Sequence, residues 1–171
     1  MKLFRKYRKL ISIFVLVAVV VAAFVISVNI FSPSIAEACR DQGCAVSFWK
    51  SHTSNWVGHN PGDTLRTLFT GADKYNLGGT ALINALGWNV TSCNPVTMAA
   101  KILLREGVAA KLNVSNPGVD YHLSGSQVTI MVNNALASGN PLTMYNAQRL
   151  LDRYNNAGCP FCQQTRPPRH H

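Results

Sequence analysis

Three features of this 171-residue chain predict an all-α fold. Apolar residues recur every three to four positions, period-two alternation is scarce, and helix start and stop residues bracket the periodic stretches. The expected architecture is a small single-domain bundle of about five helices. Disulfides close its N- and C-terminal loops, and a hydrophobic signal segment precedes it.

The leader, residues 1–38, opens with "MKLFRKYRK", five positive charges and no acid. An apolar run follows over 10–31, and then "SPSIAEA", with Ala36 and Ala38 placed for cleavage before Cys39. That order is an export signal. The run is also long enough to span a bilayer, so an uncleaved anchor that leaves 39–171 outside is the alternative. A filament-type leader cut after Lys9 is the last reading, because the small residue expected at such a cut is absent.

Residues 39–62 read as a loop-rich cap, with Gly43, Gly58, Pro61 and Gly62 between the aromatics. Asp63 caps a first helix carrying Leu65, Leu68 and Phe69, which Gly71 ends. A second covers Ala81–Leu86, before Gly87. The third starts at Asn94 and Pro95, an N-cap followed by proline at the first helical position. It carries Met98, Ile102, Leu103, Val108, Ala109 and Leu112, with Gly107 a mild fault inside it. Ser124 and Gln127 form a capping box for the fourth, whose apolar face is Val128, Met131, Val132, Ala135 and Leu136. Pro141 opens the fifth and Gly158 ends it. Only "GVDYHL" could form a short strand. The tail, 163–171, reads as disordered.

Cys39, Cys44, Cys93, Cys159 and Cys162 would sit in an oxidising compartment, where disulfides persist. Four lie at the two ends of the domain, and Cys93 is left over. Residues 39–171 hold 11 Lys plus Arg against 6 Asp plus Glu. That balance suits an anionic envelope polymer or glycan as partner. The charges are scattered, without a basic stripe interleaved with aromatics, so nucleic acid is not a predicted partner.

Five blocks carry a resemblance: Cys44, "FWKSHTSNW" (48–56), "AAKLNV" (109–114), "LSGSQV" (123–128) and "YNNAGC" (154–159). Their order and spacing are similar to an uncharacterised family of secreted bacterial and archaeal domains. Those domains open with Cys and a GYWKNHPxxW block and close on YNNG…C. Phe48, Ser51 and Thr53 depart from that pattern. The resemblance implies export, one domain and a Cys44–Cys159 bridge, to which Cys39–Cys162 would be added. It brings no catalytic residue.

The block "CAVSFWKSHTSNW" is the main candidate site. Trp49 and Trp56, seven apart, would share a helix face as a stacking platform, with Lys50 and His52 supplying polar contacts. The competing reading makes the tryptophans core plugs, because large aromatics dominate small cores; Phe48 is expected in the core. His52, His59 and His122, with Asp63 and Asp120 to assist, are one metal candidate, and their spacing matches no ligand motif. "CPFC" (159–162) follows the last helix, so the helix N-terminus that activates a redox C-x-x-C is missing. A Cys₄ zinc site with Cys39 and Cys44 is secondary to disulfides. "NVT" (89–91) and "NVS" (113–115) match the glycosylation pattern. Glu106 is the one glutamate after residue 38 and reads as a solvated or ion-paired surface residue. No nucleophile, base or paired acids fall in a motif. No cofactor or metal is predicted. The expected function is a non-enzymatic secreted or cell-surface module with a structural or binding role in the envelope. Glycan or small-ligand binding through the aromatic loop is the alternative, and a metal-dependent or redox enzyme is third.

Overall fold

The computed structural model describes residues 41–89 and 94–161. The leader with its apolar run, Cys39, Cys93, Cys162 and the tail lie outside them. Six α-helices occur among the described residues: α1 (Val46–Ser51), α2 (Leu65–Leu68), α3 (Leu82–Leu86), α4 (Pro95–Ser115), α5 (Gly125–Ser138) and α6 (Pro141–Asn155). Two 3₁₀ helices, Thr53–Asn55 and Thr70–Tyr75, join them. The fold is all-α, as the periodicity predicts. None of the described helices is long and apolar enough to cross a membrane.

The long helices start where their caps place them. The Asn94 side chain accepts from the Val96 and Thr97 amides at 2.9 and 3.1 Å, and Pro95 takes the first helical position. Ser124 and Gln127 make the reciprocal capping box. Asn140 caps α6 by accepting from the Leu142 amide at 2.8 Å.

Helix α4 is the centre of the fold. It packs most extensively on α6, then on α5 and α3. Its Leu103, Leu104, Val108 and Leu112 join Val128, Val132 and Leu136 of α5 and Met144 and Leu151 of α6 in one buried cluster. Gly107 is a packing slot rather than a fault. A Cβ there would lie 3.0 Å from Phe69 Cζ and 3.2 Å from Val132 Cγ2. The fully buried Phe69 ring can therefore lie directly on the α4 backbone.

The two ends meet. Cys44 and Cys159 form a disulfide across 115 residues of chain. Beside it the Gly43 amide donates to the Gly158 carbonyl at 3.2 Å, and the Gln42 amide donates to the Asp120 carbonyl at 3.0 Å. Gly43 lies so close to α6 that any Cβ would overlap the Tyr154 carbonyl.

Five local expectations are corrected. Residues 39–62 are not all loop, since α1 forms at their centre. The Asp63 carboxylate accepts from the Asn60 amide in a turn, and α2 begins two residues later. Gly71 does not stop that helix, because Phe69 turns into the core and the chain continues as 3₁₀ helix through Gly71 to Tyr75. "GVDYHL" contributes only an isolated bridge, Tyr121 to Gln42, because that segment meets a single partner residue and not a strand. Helix α6 also ends at Asn155, three residues before Gly158.

Candidate functional site

The opening block is divided between the inside and the outside of the molecule. Trp49 is fully buried. It presents no ring face to a ligand, so its assignment as a ligand-binding residue is corrected. Helix α1 ends at Ser51, before Trp56, so the two tryptophans do not share a helix face. Trp56 is half-buried, and its indole N–H donates to the Trp49 carbonyl at 2.9 Å. Phe48 packs on the edge of the core, stacked on His52 at 4.3 Å and on Phe161 at 5.6 Å. His52 is exposed, with Nδ1 2.9 Å from the Phe48 carbonyl. Lys50 is exposed and lines a cleft that neither His52 nor Trp56 reaches.

Beneath this block lies a buried polar network. Asn113, on α4, is fully buried. Its Oδ1 accepts from the Cys44 amide at 2.7 Å and from Trp49 Nε1 at 3.1 Å. Its Nδ2 donates to the Cys44 carbonyl at 2.9 Å and to Asn155 Oδ1 at 3.1 Å. Asn155, also fully buried, accepts in addition from the Tyr121 hydroxyl at 2.8 Å. Its Nδ2 donates to the carbonyl and to Oε2 of Glu106, both at 3.1 Å. Each of these two amides uses two acceptor and two donor positions, the full capacity of an asparagine side chain. The same four bonds leave no room for a glycan on Asn113.

Glu106 corrects the surface reading. It is only 3 % exposed, facing α6 from the buried side of α4. Arg105 Nη2 lies 3.4 Å from its Oε1. Burial pushes its carboxyl above the ordinary glutamate value, against the bonds from Asn155 and Arg105 that favour the charge. Burial likewise raises the Tyr121 hydroxyl, with the nearby Glu106 charge adding to it. A carboxyl whose folded pKa is raised binds its proton more tightly in the folded state. Its stabilising contribution is complete below the ordinary value of 4.5 and is lost as pH rises through the folded value. The stability of the native chain relative to Glu106→Gln should therefore fall with rising pH above 4.5 and then level off. Urea midpoints of the two proteins across a pH series measure this; parallel curves would mean the carboxyl titrates as though in water.

The histidines go to separate partners. His59 Nε2 lies 3.0 Å from Ser115 Oγ, and burial, then the Lys111 charge, lowers its pKa. His122 pairs with Asp41 at 2.7 Å and stacks on Tyr154 at 4.5 Å. Among the described residues no three of His, Cys, Asp and Glu are grouped to hold a metal ion.

The network residues had a readable signal. Glu106 and Asn113 are seven apart on the α4 face that carries Leu103 and Ala110, and Asn155 follows Leu151 by one turn on α6. Polar residues in register with a buried apolar face mark either a site or a polar clasp.

A cleft of about 450 Å³ opens beside the network. The start of α1, the end of α3, and α4 and α6 form its walls, with Lys50, Trp88, Asn89, Arg105, Asp152 and Asn156 among the lining residues. Trp88, the third tryptophan, is half-buried. Comparison with protein-family profiles, curated proteins and solved structures finds no match for this chain.

Proposed function

We propose that this chain is a non-catalytic exported module with a structural or binding role at the cell envelope. The observation that carries the reading is the use made of the conspicuous sequence blocks. Trp49, Asn113, Asn155 and Cys44 are bound to one another inside the fold. They clasp the N-terminal segment to α4 and α6, and their polar groups are occupied by that task. The blocks that carry the resemblance to secreted domains are the ones that supply this clasp.

Export is supported by the leader sequence and by the Cys44–Cys159 disulfide, a bond that persists in oxidising compartments and is rare in reducing ones. The excess of Lys and Arg after residue 38 favours an anionic polymer as the surface met there.

The test is fractionation of cells expressing the full chain, with free thiols blocked before lysis. The expected result is protein in the envelope or medium, with Cys44 and Cys159 reacting only after reduction. It should also co-sediment with purified envelope polysaccharide in a salt-sensitive manner. Cytosolic protein with both thiols labelled would overturn the reading.

A further inference from the structure

The cleft shares Glu106 with the clasp, where both its carboxylate oxygens are bonded, but other polar groups on its walls keep spare capacity. Arg105 reaches two acceptors, the Trp88 carbonyl at 3.5 Å and Glu106 Oε1 at 3.4 Å, both at the limit of hydrogen-bond length. Its buried Nε has no partner. Lys50 makes no ion pair among the described residues, and its Cε lies beside Gly87, 3.5 Å from where a Cβ would stand. Asp152 and Asn156 bond to each other through Oδ1 and Nδ2 at 2.9 Å. That leaves Asp152 Oδ2 and Asn156 Oδ1 as acceptors.

We propose that this cleft holds one acidic sugar unit of an envelope polysaccharide, with its carboxylate on Arg105 and Lys50 and its hydroxyls on Asn89, Asp152 and Asn156. The proposal rests on the envelope-module reading above and names the ligand class. The Nη donors of a planar guanidinium match a carboxylate, and the exposed ammonium of Lys50 at the rim adds a second charge-assisted bond. Asp152 repels a carboxylate and accepts hydroxyl protons, so it sets the direction in which the ring enters. Trp88 lines the same wall, with the Lys101 ammonium over its ring at 5.6 Å, and supplies apolar surface beside the sugar. The volume falls within the roughly 300–1,000 Å³ usual for small-ligand pockets.

Trigalacturonate, its methyl ester and acetate are the probes, titrated into the protein recovered from expressing cells. Tryptophan fluorescence and amide and indole NMR shifts are the readouts. The expected result is saturable binding of trigalacturonate with shifts at the Trp88 indole, Asn89 and Gly87. Loss of one charge-assisted contact corresponds to about tenfold in affinity. Lys50→Gln, at an exposed position, should show that loss with little change in the thermal melt, and the methyl ester, which gives up the charge facing both Arg105 and Lys50, should lose more. No binding, equal binding of the ester, acetate binding as tightly as the sugar, or shifts confined to another face would each overturn the proposal. If trigalacturonate fails while envelope polysaccharide still co-sediments, the cleft assignment alone is lost. If the protein is cytosolic with free thiols, the parent reading is lost whatever the titration shows.

Discussion

Asn113→Ala is expected to remove on the order of 3–5 kcal/mol of folding stability, because it leaves several buried polar groups without partners at once. The amide and carbonyl of Cys44, the indole N–H of Trp49 and Oδ1 of Asn155 all lose a bond. Each unsatisfied buried group costs roughly 1–3 kcal/mol. Asn155 keeps its bond from Tyr121, and relaxation recovers part of the rest, so the sum is less than four full penalties. Asn113→Asp separates the two halves of the residue. It keeps acceptors for the Cys44 amide and Trp49, but loses both donor bonds and places a negative charge opposite Asn155 Oδ1. It should therefore be at least as damaging as alanine at pH 7 and recover as the carboxyl protonates. Urea denaturation measures both variants. A loss below about 1 kcal/mol for alanine would mean that water enters and satisfies the network, and that the clasp is not what orders the N-terminal segment.

Much of the fold was legible because helix periodicity and caps are local. Asn94, Ser124 and Asn140 act within three residues of themselves, and the helices they start were read almost to the residue. The first third of the domain was harder. Helix α1 has six residues and no side-chain cap; it exists because Trp49 is drawn into a site built by Asn113, 64 residues further on. Phe69 cuts short a regular helix pattern for the same kind of reason, since its ring fills the space above Gly107. The candidate site followed the same division. The block 44–56 was identified by its composition, but composition does not say which side chains face inward. Trp49 and Lys50 are adjacent in sequence and end on opposite sides of the surface. Glu106 was misplaced because charge is ordinarily a surface signal; only its register with Asn113 marks it as buried. Trp88 and Arg105 come together through the packing of α3 on α4, a contact between segments 17 residues apart that no periodicity reports.

Removing the disulfide should have a still larger effect. The bridge closes a loop of 115 residues, for which the chain-entropy model gives about 5 kcal/mol. That is comparable to the whole stability of many domains, roughly 5–15 kcal/mol. Cys44→Ala with Cys159→Ala is the appropriate variant, because Cys44 is fully buried and a serine hydroxyl there would add a penalty of its own. Its melting temperature should fall by about 15–20 °C, at roughly 3–4 °C per kcal/mol for a domain of this size. The loss should not be uniform. Without the bridge the N-terminal segment is held by Asn113, by the Gly43–Gly158 and Gln42–Asp120 backbone bonds, and by the burial of Trp49. It can then detach while α4, α5 and α6 stay packed, so exchange of the Trp49 indole proton should speed up far more than exchange of the α4 amides. In the intact protein that opening is opposed from both sides of Cys44, by the sulfur bond and by the Asn113 side chain. The two devices hold the same residue, so their effects are coupled. A combined Asn113→Ala and cysteine-free variant should lose less than the sum of the separate losses, once the first change has already freed the segment. Additive losses, or a melting shift of under about 5 °C on removing the bridge, would show that the two ends are held independently and that the clasp is not a single unit.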